Sequence, residues 1–194
     1  MNTVAPLNAD QQDALQELLN ISMGQAANSL AHLIETKIGI SIPKIASVTP
    51  EQLFSIIAEE SGAYYTRQSF LGDVQGEVMS VISQQGLSEV GALLEYDEPL
   101  SKNDVEEIIL ELSNILAGAC LAGLAEQLEL KTNLNMPTLF SPKRANFVEL
   151  QWLNSLVMEV QFDIELSSFS MRVVFCLDDS SLNVLTETID ELLG

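Results

Sequence analysis

An internal repeat is the feature that most constrains how this chain can fold. When the first half of the sequence is shifted by 94 residues, 10 of the 33 ungapped positions from Asp13 to Ile45 are identical. The matches run through one long periodic segment and the loop after it, and they reach a proline, so that Pro43 falls on Pro137. Two unrelated helices would not match beyond their own ends, and duplication explains the pattern better. We therefore expect a pseudo-two-fold molecule whose halves share one sheet and one core.

The predicted elements follow the same general order in both halves. A long segment of helical periodicity comes first, followed by an extended β-branched segment around the proline, by strands and by a shorter helix. Helices are predicted over residues 10–35, 51–60, 88–95, 101–130 and 180–193, and strands over 38–48, 63–83 (two strands with a turn at Gly72 and Asp73), 134–139, 147–153, 156–166 and 170–177. This order predicts one α/β domain of the α+β type over 1–194, with half-repeats over about 10–97 and about 104–193.

Helix geometry divides the first long segment into two faces. At about 100° per residue, one face collects the apolar side chains that should build the core. These are Leu15, Leu18, Leu19, Ala26, Leu30 and Leu33. The opposite face carries Asp13, Glu17, Asn20 and Gly24, which we call the first stripe.

The second long segment has the same two faces. Its predicted core face consists of Ile109, Leu112, Leu116, Cys120 and Leu124. Its opposite face carries the second stripe, which consists of Glu107, Glu111, Asn114 and Gly118.

A solvated polar face is the simplest explanation for such a stripe on a single helix. Three features argue against it here. Acids spaced i, i+4 repel each other, asparagine is a poor helix former, and a glycine inside a helix costs about 1 kcal/mol relative to alanine. All three recur at the same spacing in both helices. The repetition favours a docking face with chemistry at its centre.

The charge of the chain excludes several classes of partner. There are 28 acidic and 8 basic side chains, a formal net charge of -20, and 47% of residues are hydrophobic. Nucleic acid and anionic membranes both require a basic face, so neither is expected as a partner. The N-terminal sequence predicts no signal peptide, and we expect a cytoplasmic protein with no membrane span. Cys120 and Cys176 are expected in the core, and the single His32 does not predict a metal site.

The spacing within the first stripe resembles that of a known family. The CheC-like phosphatases, which include CheC, CheX and the flagellar-switch protein FliY, share the pattern Asp/Ser-x3-Glu-x2-Asn-x22-Pro. The first half of this chain has Asp13, Glu17, Asn20 and Pro43 at these spacings. The spacing to the proline makes this match far more specific than the Glu-x2-Asn fragment alone.

The second half repeats the pattern with one departure. Glu111, Asn114 and Pro137 match it, and Glu107 stands where the family has Asp or Ser. Two motifs in one chain resemble CheC most closely, since the CheX pattern has one. The resemblance covers nearly the whole chain. It implies a mainly antiparallel central sheet of about six strands, flanked by helices, with the two motifs on two long helices.

The resemblance also implies an activity, the hydrolysis of phospho-aspartate on a CheY-type response regulator in chemotaxis and two-component signalling. Asn20 and Asn114 would hold the attacking water in line with the phosphorus. Glu17 and Glu111 would pair with the active-site lysine of the regulator. The protein would need no cofactor or metal of its own, because the regulator would supply Mg²⁺.

The remaining stripe residues are interpreted as partner-binding. Asp13 and Glu107 would assist docking at the edge of each site. Gly24 and Gly118 leave room for the partner's backbone to approach. Pro43 and Pro137 are expected to be structural, because a proline fixes φ where the chain enters a strand.

Three alternatives remain at this point. The first is a non-enzymatic module that binds a response regulator or the deamidase CheD, as an adaptor or switch component. The second is a subunit that needs an activator, since CheC-type proteins pair with CheD, although no residue signature in this sequence indicates that pairing. The third and least favoured is a small-molecule enzyme, for which neither a nucleophile–base pair nor a glycine-rich phosphate loop is visible.

Overall fold

The computed structural model of the chain describes residues 7–58, 62–142, 155–165 and 167–194. Within them it has five helices and eight strands. The helices are α1 (Ala9–Ile34), α2 (Pro50–Ala58), α3 (Leu87–Leu93), α4 (Lys102–Gln127) and α5 (Asp179–Leu193). The strands are β1 (Ile38–Ile40), β2 (Lys44–Val48), β3 (Tyr64–Gly72), β4 (Gly76–Ile82), β5 (Thr132–Leu134), β6 (Thr138–Leu139), β7 (Ser155–Ile164) and β8 (Ser170–Leu177).

Both long helices begin with a reciprocal cap. The Asn8 side chain accepts from the backbone N–H of Gln11, whose side chain accepts from the backbone N–H of Asn8, each at 2.9 Å. Ser101 and Asp104 form the same pair at the start of α4. Such a cap satisfies two backbone donors that a helix would otherwise leave unpaired, and so fixes where it starts. The two 26-residue helices begin within one residue of equivalent points of the repeat.

One sheet contains all eight strands, in the order β1-β7-β8-β4-β3-β5, with β2 also paired to β7 and β6 to β3. Every strand pair in the described residues is antiparallel. Each edge of the sheet consists of two short strands with a buried proline between them, Pro43 or Pro137. The eight strands thus occupy six rows, in agreement with the sheet of about six strands that was predicted.

The halves of the repeat interleave at the edges of the sheet. Strands β1 and β2 belong to the first half and pair with β7 of the second, while β5 and β6 pair with β3 of the first. The order of rows is therefore the same from either edge inward, as a pseudo-two-fold requires. The half-repeat boundaries stay a prediction.

The main core lies between the sheet and helices α1, α3, α4 and α5, and a smaller one lies beneath α2 on the other face. Helices α1 and α4 cross antiparallel. Gln127 donates to the Leu18 carbonyl at 3.0 Å, and the Cys120 thiol contacts the Met23 sulfur at 3.0 Å. α4 is long and apolar enough to cross a membrane by length and composition, but 61% of that stretch is buried inside the fold.

Most predicted elements are confirmed, with two kinds of difference. The extended segments over 38–48 and 134–139 are each two short strands, because the residues around Pro43 and Pro137 interrupt the edge rows. Leu33 was expected in the core but is 40% exposed near the end of α1. The predicted strand over 147–153 lies outside the described residues.

Candidate functional site

The first stripe lies on the solvent-facing side of α1. Asp13, Glu17 and Asn20 are exposed, and Gly24 is half-buried. The other face of the helix fits into the main core, with Leu15, Leu19, Met23, Ala26 and Leu30 buried. The amphipathic pattern therefore places the four stripe residues together, as the sequence predicts.

The second stripe has the same arrangement on α4. Glu107, Glu111 and Asn114 are exposed, and Gly118 is half-buried. All five predicted core positions of this helix, from Ile109 to Leu124, are buried.

The antiparallel crossing keeps the two stripes apart. Gln127 lies beside Leu18 and Cys120 beside Met23, so Asn114 lies near the carboxyl end of α1 and Asn20 near that of α4. At 1.5 Å per residue, the two asparagines are on the order of 15–20 Å apart along the helix pair. The structure thus contains two separate candidate sites.

The stripe carboxylates have no cationic partner in the described part of the chain. None of Asp13, Glu17, Glu107 and Glu111 takes part in an ion pair there, whereas Glu77, Glu159 and Glu165 each pair with a lysine or arginine. Spaced one turn apart, the stripe acids repel each other. Each stripe therefore carries two carboxylates whose charge no lysine or arginine of the described residues neutralises.

The stripe glycines are not required by packing. A Cβ added at Gly24 would meet nothing within 4 Å, and one at Gly118 would meet only the tip of Leu134 at 3.9 Å. Gly123 of α4 is different, since its Cβ would lie 2.5 Å from Gln25 and 3.2 Å from Ser22 of α1. Gly123 permits the helix crossing, and the stripe glycines have no such role inside the fold.

Sequence reasoning missed Gln68, a residue beneath the second stripe. Its side chain is 1% exposed on β3, and its Nε2 donates to Asn114 Oδ1 at 3.3 Å and to the Asn135 carbonyl at 3.1 Å. Alternate residues of β3 are buried from Thr66 to Phe70, and Gln68 is one of those whose side chains point into the core. A polar residue at an inward strand position was the available signal.

Tyr96 is a second residue that sequence reasoning missed, because it follows the helix predicted over 88–95 and belongs to no predicted element. Partial burial and the carboxylates of Glu107, Glu111 and Asp104 raise the pKa of Tyr96, and a hydrogen bond with Glu107 adds to the rise. The phenol of Tyr96 is therefore harder to ionise than that of an ordinary tyrosine.

A polar cleft adjoins the second stripe. It has a volume of about 750 Å³ and is lined by the end of α1, the end of α3 and the side chain of Glu111. Glu35, Glu95 and Tyr96 also line it. The chain gives this cleft carboxylates and one phenol, so a positively charged side chain is the group that it can best receive.

The described residues contain no group of three histidine, cysteine or acidic side chains placed to hold a metal. Both cysteines are buried. The single tryptophan, Trp152, is an aromatic residue that the sequence predicts in the core, and it lies outside the described residues. The chemistry available at each stripe is that of a carboxylate and an amide.

Comparison with known proteins finds the same family that the motifs resemble. A family model described as the CheC-like family matches residues 11–46, which contain the whole first motif. The CheY-P phosphatase CheC of Bacillus subtilis (strain 168) is 26% identical over 140 residues, which are 68% of this chain and 66% of that protein. The match thus spans just under two thirds of the length of that relative.

Solved structures show the same fold. Thermotoga maritima FliY has a TM-score of 0.71 at 17% identity, over 96% of this chain and 99% of that one. The FliM middle domain from H. pylori has a TM-score of 0.67 at 11% identity, over 94% and 99%. These TM-scores establish the α+β fold, while the family model and the match to CheC confirm the resemblance that the motifs predict.

Proposed function

This chain is CheC-like in motif and in fold, and on that premise we propose that it hydrolyses the phospho-aspartate of a CheY-type response regulator. Each stripe would dock against the regulator's active site. Asn20 and Asn114 would be the catalytic amides, and Glu17 and Glu111 would pair with the regulator's active-site lysine. Asp13, Glu107 and the two stripe glycines would form the surrounding contact surface.

The chemistry suits these side chains. Phosphoryl transfer to water passes through a loose, in-line transition state, so positioning and charge neutralisation account for most of the catalysis. An asparagine amide can donate to one group while its oxygen accepts from the attacking water. Mg²⁺ on the regulator would neutralise the phosphoryl oxygens, and this chain would supply no metal ligand.

The observation that carries the proposal is the repeated stripe. Two helices present an exposed asparagine three residues after an exposed glutamate that has no cationic partner within the described residues. Each stripe also retains a glycine that internal packing does not require. A face serving only solvation would not need this combination at two places.

The test measures phosphate loss from a regulator that has been phosphorylated by a small phosphodonor. Asn20→Ala and Asn114→Ala should each slow the loss, and the double variant should approach the spontaneous rate. Asn183→Ala is the matched control, because Asn183 is an exposed helical asparagine of α5 outside both stripes. An unchanged rate of phosphate loss with the folded double variant would refute the assignment of Asn20 and Asn114 as catalytic amides.

A second candidate is a non-enzymatic module that binds a regulator or CheD. The observation in its favour is that the fold is shared with the FliM middle domain to about the same extent as with FliY. Regulator binding through the stripes without faster phosphate loss would support this candidate. CheD binding, measured with purified CheD by titration calorimetry, would add it as a partner.

A further inference from the structure

Gln68 is a buried amide at a position where an apolar side chain would cost less. Its Oε1 is buried and has no hydrogen-bond partner among the described residues. An unpaired buried oxygen destabilises a fold, so stability alone does not account for a glutamine here. The two hydrogen bonds of its side chain are those that its Nε2 donates to Asn114 and to the Asn135 carbonyl.

These two contacts fix the orientation of both amides. The Asn135 carbonyl can only accept, so the nitrogen of Gln68 must point toward it. The same nitrogen donates to Asn114, which must therefore turn its oxygen inward and its NH₂ away from Gln68. Asn135 is itself held, because its Nδ2 donates to Ser69 at 2.7 Å and its backbone N–H donates to the Ser69 carbonyl at 2.9 Å. The chain of bonds thus ends on Ser69 of β3.

The first stripe has no equivalent support. Ile40 and Leu134 are equivalent in the repeat, and they pair with Phe162 and Phe70. Phe162 and Phe70 are therefore equivalent as well. Two residues before each of them, Val160 occupies the position of Gln68. Val160 is buried and apolar. Asn20 has no side-chain hydrogen bond within the described residues, so none fixes the orientation of its amide there.

We propose that Gln68 is a positioning residue for Asn114, holding its amide in the one orientation that catalysis at the second stripe requires. This inference rests on the proposed phosphatase function. The inward oxygen of Asn114 keeps a second lone pair for the attacking water, and its outward NH₂ remains free to donate to the partner. Gln68 touches neither regulator nor water, and it acts only through Asn114.

The kinetic test isolates the second stripe with Asn20→Ala and then adds Gln68→Met, which keeps the length of the side chain and removes its donors. We expect kcat to fall roughly three- to tenfold, as for the loss of one hydrogen bond, while KM for the phosphorylated regulator stays the same. Thr66→Val is the matched control. It removes the neighbouring buried bond from Thr66 to Ser113 of α4, at 2.8 Å, without touching Asn114.

Two outcomes would overturn the proposal. One is an equal fall in kcat for Gln68→Met and Thr66→Val, which would show that any disturbance between β3 and α4 has the same effect. The other is an unchanged kcat for Gln68→Met. Gln68→Glu gives an independent check, because it keeps the shape but replaces the donor with acceptors, and it should lower kcat as Gln68→Met does.

A readout without turnover separates this inference from the proposed function. Side-chain ¹⁵N relaxation of the free protein should show the Asn114 amide as more rigid than the Asn20 amide, and Gln68→Met should remove the difference. Equal mobility of the two amides in the wild type would refute the positioning role, even with full phosphatase activity. A rigid Asn114 in a protein without phosphatase activity would instead refute the proposed function alone.

Discussion

At the scale of single residues, the stripe glycines separate the requirements of folding from those of docking. Gly24 and Gly118 have space for a methyl group, and Gly123 has none. A glycine inside a helix lowers the free energy of unfolding by about 1 kcal/mol relative to alanine. No packing contact inside the fold requires either stripe glycine. Their proposed use lies in the surface that they leave open.

We therefore expect Gly24→Ala and Gly118→Ala to raise the free energy of unfolding by about 0.5–1 kcal/mol each. Both should weaken regulator binding, by roughly tenfold if the added methyl costs about 1.4 kcal/mol at the contact. Urea denaturation and titration of the regulator measure the two effects. Gly123→Ala should lack the stabilisation, because overpacking against α1 offsets the gain in helix propensity. Unchanged binding by both stripe variants would show that the glycines do not serve docking.

The two cysteines lead to a prediction about reactivity. Burial raises the pKa of the Cys120 and Cys176 thiols far above the usual range, and Glu77 adds to the rise at Cys176. A thiol must ionise to react, so neither should be modified in the folded protein. Ellman's reagent at pH 8 should find no reactive thiol in the native state and two after denaturation in guanidinium. Fast modification of the native protein would contradict the burial of these residues.

At the scale of elements, α5 depends on the cap at its first turn. Asp178 accepts from the backbone N–H of Ser181 at 2.8 Å, from Ser180 at 2.9 Å and from Gln75 at 3.0 Å. Burial by itself raises the pKa of Asp178, but these hydrogen bonds outweigh it, and the net pKa is below the usual value. The carboxylate form is therefore the one that stabilises the helix.

Asp178→Ala should lower the free energy of unfolding by about 1 kcal/mol at pH 7. A carboxyl whose folded pKa is depressed contributes stability above its unfolded pKa, near 3.8, and loses it as the pH falls through the folded value. The difference between wild type and variant should therefore shrink below about pH 3.8, as measured by urea denaturation at several pH values. Asp178→Asn, which keeps an acceptor oxygen, should lose less. A constant difference at every pH would contradict the assignment to the carboxylate.

At the scale of the whole molecule, the net charge of -20 restricts how a partner can arrive. The proposed target is an acidic pocket that carries a phosphoryl group, and each stripe adds two carboxylates. Long-range forces between such surfaces do not attract, so recognition would depend on short-range pairing between a lysine and Glu17 or Glu111.

Moderate salt should therefore leave the association rate with the regulator unchanged or raise it, since salt screens repulsion. Stopped-flow binding at about 0.02 and 0.15 M salt would measure this, with the Debye length falling from roughly 20 to 8 Å. A steep decline in the rate with added salt would show attraction by a basic surface elsewhere on the regulator.

Much of the fold and of the candidate site could be predicted from local patterns. The 94-residue repeat is visible in the sequence itself, and the apolar faces of α1 and α4 depend on residues close in sequence. Helix periodicity alone therefore placed Glu17 and Asn20 on one exposed face, as well as Glu111 and Asn114. Leu33 shows the limit of this reasoning, because a position on the apolar side of a helix is buried only if another element covers it.

The sequence by itself determined two stripes and the residues in them, because a helix repeats its geometry from one residue to the next. Only the tertiary structure decided that α1 and α4 run antiparallel, so that the stripes form two separate sites. It also brought Gln68 beneath Asn114, although 46 positions separate them in the sequence. Tyr96 came to lie beside Glu107 in the same way. Such contacts depend on how a strand packs against a helix, and no periodicity in either element specifies which side chains then meet.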